Sequence, residues 1–379
     1  MERIIALIIF IFILAIIAFL LHTINIYINN RISIGLLDFN NSSYNVKFGD
    51  IPRTYYNKYF KKNMDLCVCD FYWATSNKSY LPCGEYMDLT SYDVLKLVLD
   101  KGARVINLDI YSSENDKISE NGEPIVKQAN LMPSYGEPLK FDECCKIISD
   151  NAWKHNNEYP LILYLNLNTD NKYVCDKVAE SILLHFNNKF LDKIYSYNGR
   201  DGENNYGTVP ISQHLGKVGI LCNNYPTNSE LDELINLHLD NNVHAKRIDY
   251  NDQVVKYGGL NAVLTDIKGL IEFNRLNISY VEPKNNMDIL NLFTPKYDLN
   301  NINYKDAYNY GCQFVALNYQ LYNDEMKQYI ELFKNSSLVL KPDDLREIPK
   351  PKPIIMKQYK QLSYGPKALK QDGWYDLKI

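Results

Sequence analysis

The chain has 379 residues, a formal net charge of −4 and a hydrophobic fraction of 46%, which is enough for a membrane anchor plus one large domain or two ordinary ones. Its sequence pI of about 5.9 and the lack of a basic face argue against a nucleic-acid-binding protein. We therefore expect no nucleic acid among its partners.

Residues 4–21 form an uncharged apolar run, IIALIIFIFILAIIAFLL. A run of this length is close to what crosses the hydrocarbon core of a bilayer as a helix. The next residues, HTINIYINNR, contain no small-residue cleavage pattern of a signal peptide, and a buried core helix would carry a polar face. We predict a retained single-pass signal-anchor helix that places the protein in a membrane. The flanking charges do not decide which side of the membrane the rest occupies.

Residues 22–62 are polar and irregular, and they predict a stalk or an N-terminal cover. Beyond them, apolar strand-like runs alternate with amphipathic helical runs. The strand-like runs are MDLCVCDFYWA, ARVINLDIY, YPLILYLNLN and KVGILCNN, and the helical runs are SYDVLKLVLDKGA, FDECCKIISDNAWKHN and CDKVAESILLHFNNKFL. This alternation predicts parallel strands with helices packed outside them.

Residues 226–262 are polar and charged and interrupt the alternation, which resumes with VLTDIKGLIEF, NNMDILNLF, YGCQFVALNYQ and SLVLKPDDL. A barrel split by an insertion fits this order best, and a doubly wound open sheet is the alternative. Residues 348–379 begin with a PKPKP stretch that cannot continue a helix, so we predict an extended tail there.

The chain has eight cysteines. Cys67 and Cys69 share one strand-like run, and Cys144 and Cys145 are adjacent, so neither pair suits a disulfide. No C-x-x-C pair indicates a zinc site. The disulfide state stays open at this point.

The segment NYKDAYNYGCQFVALNYQLYNDEMKQYIELFKNSSLVLKPDDLRE carries an N-Y…G-C-Q-x-V-A-L-N-x-Q core followed by V-L-K-P…L-R. Together with TSNKSYL, GARVINLD, GEPIV and YPLILYLNLN earlier in the chain, it resembles the catalytic barrel of eukaryotic phosphoinositide-specific phospholipase C. The resemblance covers roughly residues 64–346. It implies an α/β fold, a distorted TIM barrel split into an X half (63–225) and a Y half (263–347) around the insertion.

The resemblance also implies where the chemistry would lie and what it needs. Sites of TIM barrels lie at the carboxyl ends of the strands. In this family one histidine assists attack of the inositol 2-hydroxyl on phosphorus, and a second histidine handles the leaving oxygen. Calcium, held by carboxylates and an amide, neutralises the developing charge.

The positions matching the family's catalytic and calcium site are occupied by Asn77, Lys78, Asn107, Asp109, Asn130 and Asn166. Asn77 and Asn130 stand where the catalytic histidines are expected. Asparagine does not titrate near neutrality, its amide is a weaker calcium ligand than a carboxylate, and Lys78 would repel a divalent ion. None of the chain's histidines matches a catalytic position. We therefore predict no catalytic residue, no metal site and no cofactor.

The head-group positions have changed as well. Asn223 and Tyr225 stand where the family has two lysines. Asn291 and Phe293 stand where the family has the Arg and the Tyr of an Arg-x-Tyr motif, and Ser279 retains a serine of the family's S-F-S motif. Without Arg and Lys, the main source of affinity for a polyphosphorylated head group is missing. Phe293 could still stack on an inositol ring, but barrel packing is the favoured explanation for both Phe293 and Ser279.

Three functions remain open from the sequence. The first is an inactive, membrane-anchored phospholipase C-like protein with a binding or structural role, whose partner is a protein or a phosphoinositide. The second is a phosphodiesterase with calcium-independent chemistry that uses Asp109, Lys78 or a displaced histidine such as His155. The third is a lipid-binding module that holds a neutral or monophosphorylated head group without cleaving it.

Overall fold

The computed structural model falls into two compact units, Met1–Glu347 and Ile348–Ile379. In the second unit, Ala368–Leu369 and Leu377–Lys378 pair as short antiparallel strands. The structure describes residues 2–41, 65–82, 90–114, 121–128, 137–154, 158–196, 205–223, 228–239, 244–250, 267–283, 301–321, 323–347, 368–369 and 377–378.

Helix α1, Glu2–Asn41, begins the first unit. Its part Ile5–Asn25 is long and apolar enough to cross a membrane, and the apolar side chains described there are exposed, with Phe12 at 67%. The helix continues to Asn41 through residues that the sequence assigned to an irregular stalk. No proline precedes Pro52 in this part of the chain, and the apolar residues recur often enough to sustain the helix.

The barrel is built from eight parallel strands and three short antiparallel ones within the described residues. They are β1 Phe71–Ser76, β2 Val105–Ser112, β3 Pro124–Val126, β4 Leu139–Lys140, β5 Leu161–Leu167, β6 Val218–Cys222, β7 Leu237–His238, β8 Ala245–Tyr250, β9 Ile278–Pro283, β10 Phe314–Leu317 and β11 Leu338–Leu340.

Helices follow most of the parallel strands. They are α2 Tyr92–Asp100, α3 Phe141–Ala152, α4 Lys172–His185, α5 Ile211–His214, α6 Ile267–Asn274, α7 Tyr304–Asn309 and α8 Asp324–Phe333. Polar residues fix where several of them begin, because their side chains accept hydrogen bonds from otherwise unpaired amide groups of the first turn. Ser91 caps α2, Asn171 caps α4 and Asn323 caps α8.

The parallel strands lie in the order β7-β6-β5-β2-β1-β10-β9-β8 and form a nearly closed barrel. Strand β11 joins antiparallel to β1, and β3 joins antiparallel to β2. This arrangement confirms the distorted barrel and excludes the doubly wound open sheet. The later segment 301–347 supplies β10, which pairs directly with β1. The first strand of the barrel and a strand from its last segment therefore lie side by side in the middle of the strand order.

Each strand has an inner and an outer face. On β2, Ile106, Leu108 and Ile110 belong to the core between strands and helices, whereas Val105 belongs to the core inside the barrel. Trp73 and Phe314 also fill the interior, with ring centroids 5.6 Å apart in an edge-on contact. Because side chains alternate along a strand, the residues at odd positions of β2, including Asn107 and Asp109, share the inner face.

The stretch 226–262, expected as an insertion, contributes two strands to this sheet. Strand β7 pairs with β6, and β8 pairs with β9 over six residues, from Ala245↔Ile278 to Tyr250↔Pro283. The sheet therefore extends further along the chain than the hydropathy pattern indicated. Residues 251–266 lie outside the described part.

The amino ends of the strands close over a cluster of buried polar groups, which we call the floor: Asn274, Ser279, Cys312, Gln313 and Lys341. The Gln313 side-chain amide donates hydrogen bonds to the carbonyl oxygens of Cys69, Asn274 and Asn277 at 3.3, 2.7 and 2.8 Å. Lys341 Nζ donates to the Asn274 carbonyl at 3.0 Å. These bonds tie β1, α6, β9 and β10 together at one end.

The cysteines described by the structure are free thiols: Cys67, Cys69, Cys144, Cys145, Cys175, Cys222 and Cys312. Six of them are buried and Cys67 is partly buried. Burial raises the pKa of the Cys312 thiol to about 12, and partial burial raises that of Cys67 to about 11. Within the described residues they serve as apolar packing groups rather than as reactive thiols.

Lys341 makes stability depend on pH. Burial lowers the pKa of its ammonium group to about 8, whereas a lysine in the unfolded chain titrates near pH 10.4. Between these values the unfolded state binds more protons, so the free energy of unfolding rises with pH by about 1.4 kcal/mol per unit. We predict that raising the pH from 8 to 10 stabilises the wild type relative to Lys341→Met by about 2 kcal/mol. Urea unfolding of the full chain in nonionic detergent measures this difference, and parallel pH profiles would contradict it.

Candidate functional site

The carboxyl ends of the parallel strands meet at one end of the barrel, which we call the mouth. Asn77 follows β1, Asn107 and Asp109 lie on β2, Asn166 lies on β5 and Asn223 follows β6. Strands β2 and β5 are paired so that Asp109 lies directly beside Asn166. The structure therefore brings together the described residues that the sequence matched to the family's catalytic and calcium site, whereas Asn130 lies outside the described residues.

Asp109 is held by hydrogen bonds on both of its carboxylate oxygens. The Tyr80 hydroxyl lies 2.9 Å from Oδ2 and shares its one proton between this oxygen and the Lys127 carbonyl oxygen at 3.0 Å. The Asn166 amide donates to Oδ1 at 2.8 Å. Tyr80 is fully buried and Asp109 is 4% exposed. Charge-assisted hydrogen bonds of this kind are stronger than neutral ones, so Asp109 is fixed between two neighbours.

The two other described asparagines of this group also bond to side chains. Asn77 Nδ2 donates to Asn318 Oδ1 at 3.0 Å, and Asn107 Nδ2 donates to the Tyr280 hydroxyl at 2.8 Å. Each of these bonds crosses to a residue from the later part of the chain. Asn107 Oδ1 and Asn318 Nδ2 have no hydrogen-bond partner within the described part.

Lys78 has an uncommon backbone conformation. Its φ of 41° lies in the left-handed region, which costs a residue with a Cβ atom about 1–2 kcal/mol. Its ammonium group donates to Gln128 Oε1 at 2.9 Å, and the side chain is half-buried. The strained turn therefore places a cation beside Gln128, which follows β3.

The predicted head-group positions have structural contacts where the structure describes them. Asn223 accepts a hydrogen bond from the Leu167 amide at 2.7 Å and donates to its carbonyl at 3.2 Å, so its side chain extends the pairing of β5 and β6. Ser279 lies in the floor, where its hydroxyl donates to Asn274 Oδ1 at 2.5 Å. Ser279 is thus not near the mouth. Tyr225, Asn291 and Phe293 lie outside the described residues.

Three further residues, Tyr280, Arg247 and Glu282, interact beside Asn107 at the mouth, and the sequence analysis did not identify them. Tyr280 accepts the hydrogen bond from Asn107, and Arg247 Nε donates to Glu282 Oε1 at 2.7 Å. Burial raises the pKa of Tyr280 well above its usual range, and the Glu282 carboxylate raises it further. The alternation in the ISYVEP strand, which puts Tyr280 and Glu282 on one face, was the available signal.

Comparison with known proteins matches residues 64–210 to the family model described as the phosphatidylinositol-specific phospholipase C, X domain. Two similar curated proteins are the 1-phosphatidylinositol 4,5-bisphosphate phosphodiesterases eta-1 of Mus musculus and Homo sapiens. Each is 26% identical over 102 residues, which is 27% of this chain and 6% and 5% of those proteins. The chain therefore aligns with only a small part of these relatives.

Two solved structures share the fold. PLC21 of L. pealei is 19% identical, with a TM-score of 0.56 over 76% of this chain and 39% of that one. PLC21 of S. officinalis is 20% identical, with a TM-score of 0.57 over 76% of this chain and 38% of that one. At these identities the likeness concerns the fold.

We call the hydrogen bonds of Asp109 with Tyr80 and Asn166 the clamp, and they predict a measurable coupling energy between Tyr80 and Asp109. Tyr80→Phe removes the hydroxyl that bonds Asp109, and we predict a loss of about 1–3 kcal/mol of stability because a buried charged acceptor loses a donor. In a double-mutant cycle with Asp109→Asn, we expect a coupling energy of about 1 kcal/mol or more.

The matched control for this cycle is Tyr173→Phe, since Tyr173 is a tyrosine 50% exposed on α4. This change should shift stability by less than about 0.5 kcal/mol. Additive effects of the Tyr80 and Asp109 substitutions would contradict the clamp.

Proposed function

We propose, from the match of residues 64–210 to the X-domain family model of phosphatidylinositol-specific phospholipase C, that this chain is a membrane-anchored phospholipase C-like protein that does not hydrolyse phosphoinositides. Its role is to bind a partner, a protein or a phosphoinositide, or to serve as a structural component. We assign residues 263–347 to the Y half, on the evidence of the motifs between 303 and 347 and of the pairing of β10 with β1.

The observation that carries this proposal is the pairing of the mouth side chains with one another. The amide groups of Asn77, Asn107 and Asn166 donate to Asn318, Tyr280 and Asp109. General acid–base catalysis needs groups that gain and lose a proton near the working pH. Amides do not, so these positions support binding or packing rather than proton transfer.

The same contacts argue against a calcium ion. Calcium takes about six to eight oxygen ligands, usually including several carboxylates. Here both oxygens of Asp109 accept hydrogen bonds, and the positions matching the family's other carboxylates hold Asn107 and Asn166. Lys78 occupies the position that the sequence matched to a further ligand, and its ammonium group donates to Gln128 Oε1. These residues do not fit calcium, and we propose that the chain uses no metal.

Helix α1 supplies the membrane attachment in this proposal. The exposed apolar stretch Ile5–Asn25 supports a retained single-pass anchor, because its length matches the hydrocarbon core. We expect the full chain to stay in the membrane pellet after washing at alkaline pH. Release into the supernatant, or a mature protein lacking the first residues, would contradict the anchor.

A second candidate function is a binder of anionic head groups that does not cleave them. It is favoured by two cations near the mouth residues, the half-buried ammonium of Lys78 and the guanidinium of Arg247. Both also contact protein groups, Gln128 and Glu282 respectively. Weaker binding of a soluble inositol phosphate by Lys78→Gln than by the wild type, both measured on the full chain in nonionic detergent, would distinguish this function from a purely structural role.

We predict that the full chain in phosphoinositide-containing nanodiscs releases no water-soluble inositol phosphate, either with calcium or with a chelator. A calcium-dependent phospholipase C assayed in the same discs is the positive control. Asp109→Ala is the diagnostic variant, because Asp109 is the one family carboxylate position that keeps an acid.

Release by the wild type that Asp109→Ala abolishes would overturn the proposal and establish an altered phosphodiesterase. Release that both proteins show equally, and that a mock purification lacks, would also overturn the proposal, with chemistry that does not use Asp109.

A further inference from the structure

A surface groove lies on the flank of the barrel, away from the mouth. It has a cavity volume of about 440 Å³ and lies between the end of α4, the segment 190–196 and the short turn Glu230–Glu233. Its lining residues are Leu183, Phe190, Leu191, Asp192, Lys193, Ser196, Glu230, Glu233, Leu234 and Asn236. This volume falls in the range of about 300–1,000 Å³ that is usual for ligand pockets.

Exposed apolar side chains occur in the lining of the groove and next to lining residues along the chain. Outside α1, the described large apolar residues that are exposed are Tyr173, Leu183, Leu184, Ile194 and Leu276. Three of them lie at or beside the groove: Leu183 at 45%, Leu184 at 67% and Ile194 at 39%. Exposed apolar patches with polar rims mark interaction sites on soluble domains.

The rim of the groove is acidic. Asp192, Glu230 and Glu233 line it, against the single cation Lys193. None of the ion pairs between described residues includes these three carboxylates. Asp192 accepts a hydrogen bond from the Ile194 amide, and Glu230 interacts electrostatically with Lys172. The net negative charge of the rim would attract a cationic partner and repel an anionic lipid surface.

The walls of the groove are tied to the barrel by hydrogen bonds. Asn236 donates to the Tyr195 carbonyl at 3.0 Å and also accepts from the Ile220 amide on β6 at 2.8 Å. The Glu230 amide donates to Asp176 Oδ1 of α4 at 2.7 Å. A preformed groove loses less conformational entropy on binding than a flexible one.

We propose that this groove binds a basic amphipathic segment of a partner protein. Its apolar side chains would enter between Leu183, Phe190 and Leu234, and its Lys or Arg side chains would pair with Glu230 and Glu233. Charge complementarity selects this occupant, and helix-in-groove binding uses the same combination of apolar anchors and flanking charges. The proposal goes beyond the proposed function and does not depend on whether the barrel is catalytically active.

The probe is a fluorescent helical peptide of leucine and lysine. Its control is the same peptide with a glutamate in place of each lysine. Binding to the full chain in nonionic detergent is measured by anisotropy, with Glu230→Lys/Glu233→Lys as the groove variant. The matched control is Asp100→Lys/Glu272→Lys, two exposed carboxylates on other helices. Asp192 is left unchanged because its side chain caps the turn Lys193–Tyr195.

We expect the groove variant to bind the leucine–lysine peptide at least about tenfold more weakly, a change of about 1.4 kcal/mol, and the control variant to bind it like the wild type. Leu183→Ser should also weaken binding, because an apolar anchor is lost. Equal binding by both charge variants, or equal binding of the two peptides, would overturn the proposal. The proposal would also be overturned if the wild type and the control variant were dimers and the groove variant a monomer, because the occupant of the groove would then be a second copy of the chain.

Discussion

The barrel buries the polar side chains at its mouth, and a buried polar group that lacks a hydrogen-bond partner costs free energy. Asn77 is 2% exposed, Asn107 1% and Asp109 4%. A divalent cation can satisfy a ring of converging carboxylates, but it cannot do so for amides, whose NH₂ groups must find acceptors. Asn318, Tyr280 and Asp109 provide those acceptors here, so the composition of the mouth and its internal bonding are two aspects of one constraint.

The same constraint explains why the sequence motifs of the later segment are so recognisable. Gln313 of the G-C-Q motif and Lys341 of the V-L-K-P motif both belong to the floor, at the opposite end from the mouth. Their hydrogen bonds hold strands and helices together, and those contacts are needed whether or not the barrel performs chemistry. Resemblance in these motifs therefore indicates the fold, and function has to be argued from the mouth.

The sequence predicted the regular part of the barrel because its strands are buried on both faces. ARVINLDIY became β2 and YPLILYLNLN became β5, and the FDECCKIISDNAWKHN run became α3. Strand β8 was not predicted because Lys246, Arg247 and Asp249 interrupt the apolar pattern of its sequence. Arg247 is accommodated by Glu282 on β9, a partner 35 residues away that no local pattern could supply. The proximity of Asp109 and Asn166 was predictable from the strand ends, whereas their mutual hydrogen bond was not.

Calcium calorimetry on the full chain tests the central claim most directly, namely that the mouth is held by its own side chains instead of a metal. The wild type should give no calcium-dependent heat. The variant Lys78→Asn/Asn107→Glu/Asn166→Glu, which adds two carboxylates and removes the cation, should gain affinity if it folds. Saturable calcium binding by the wild type, lost in Asp109→Ala, would contradict the account.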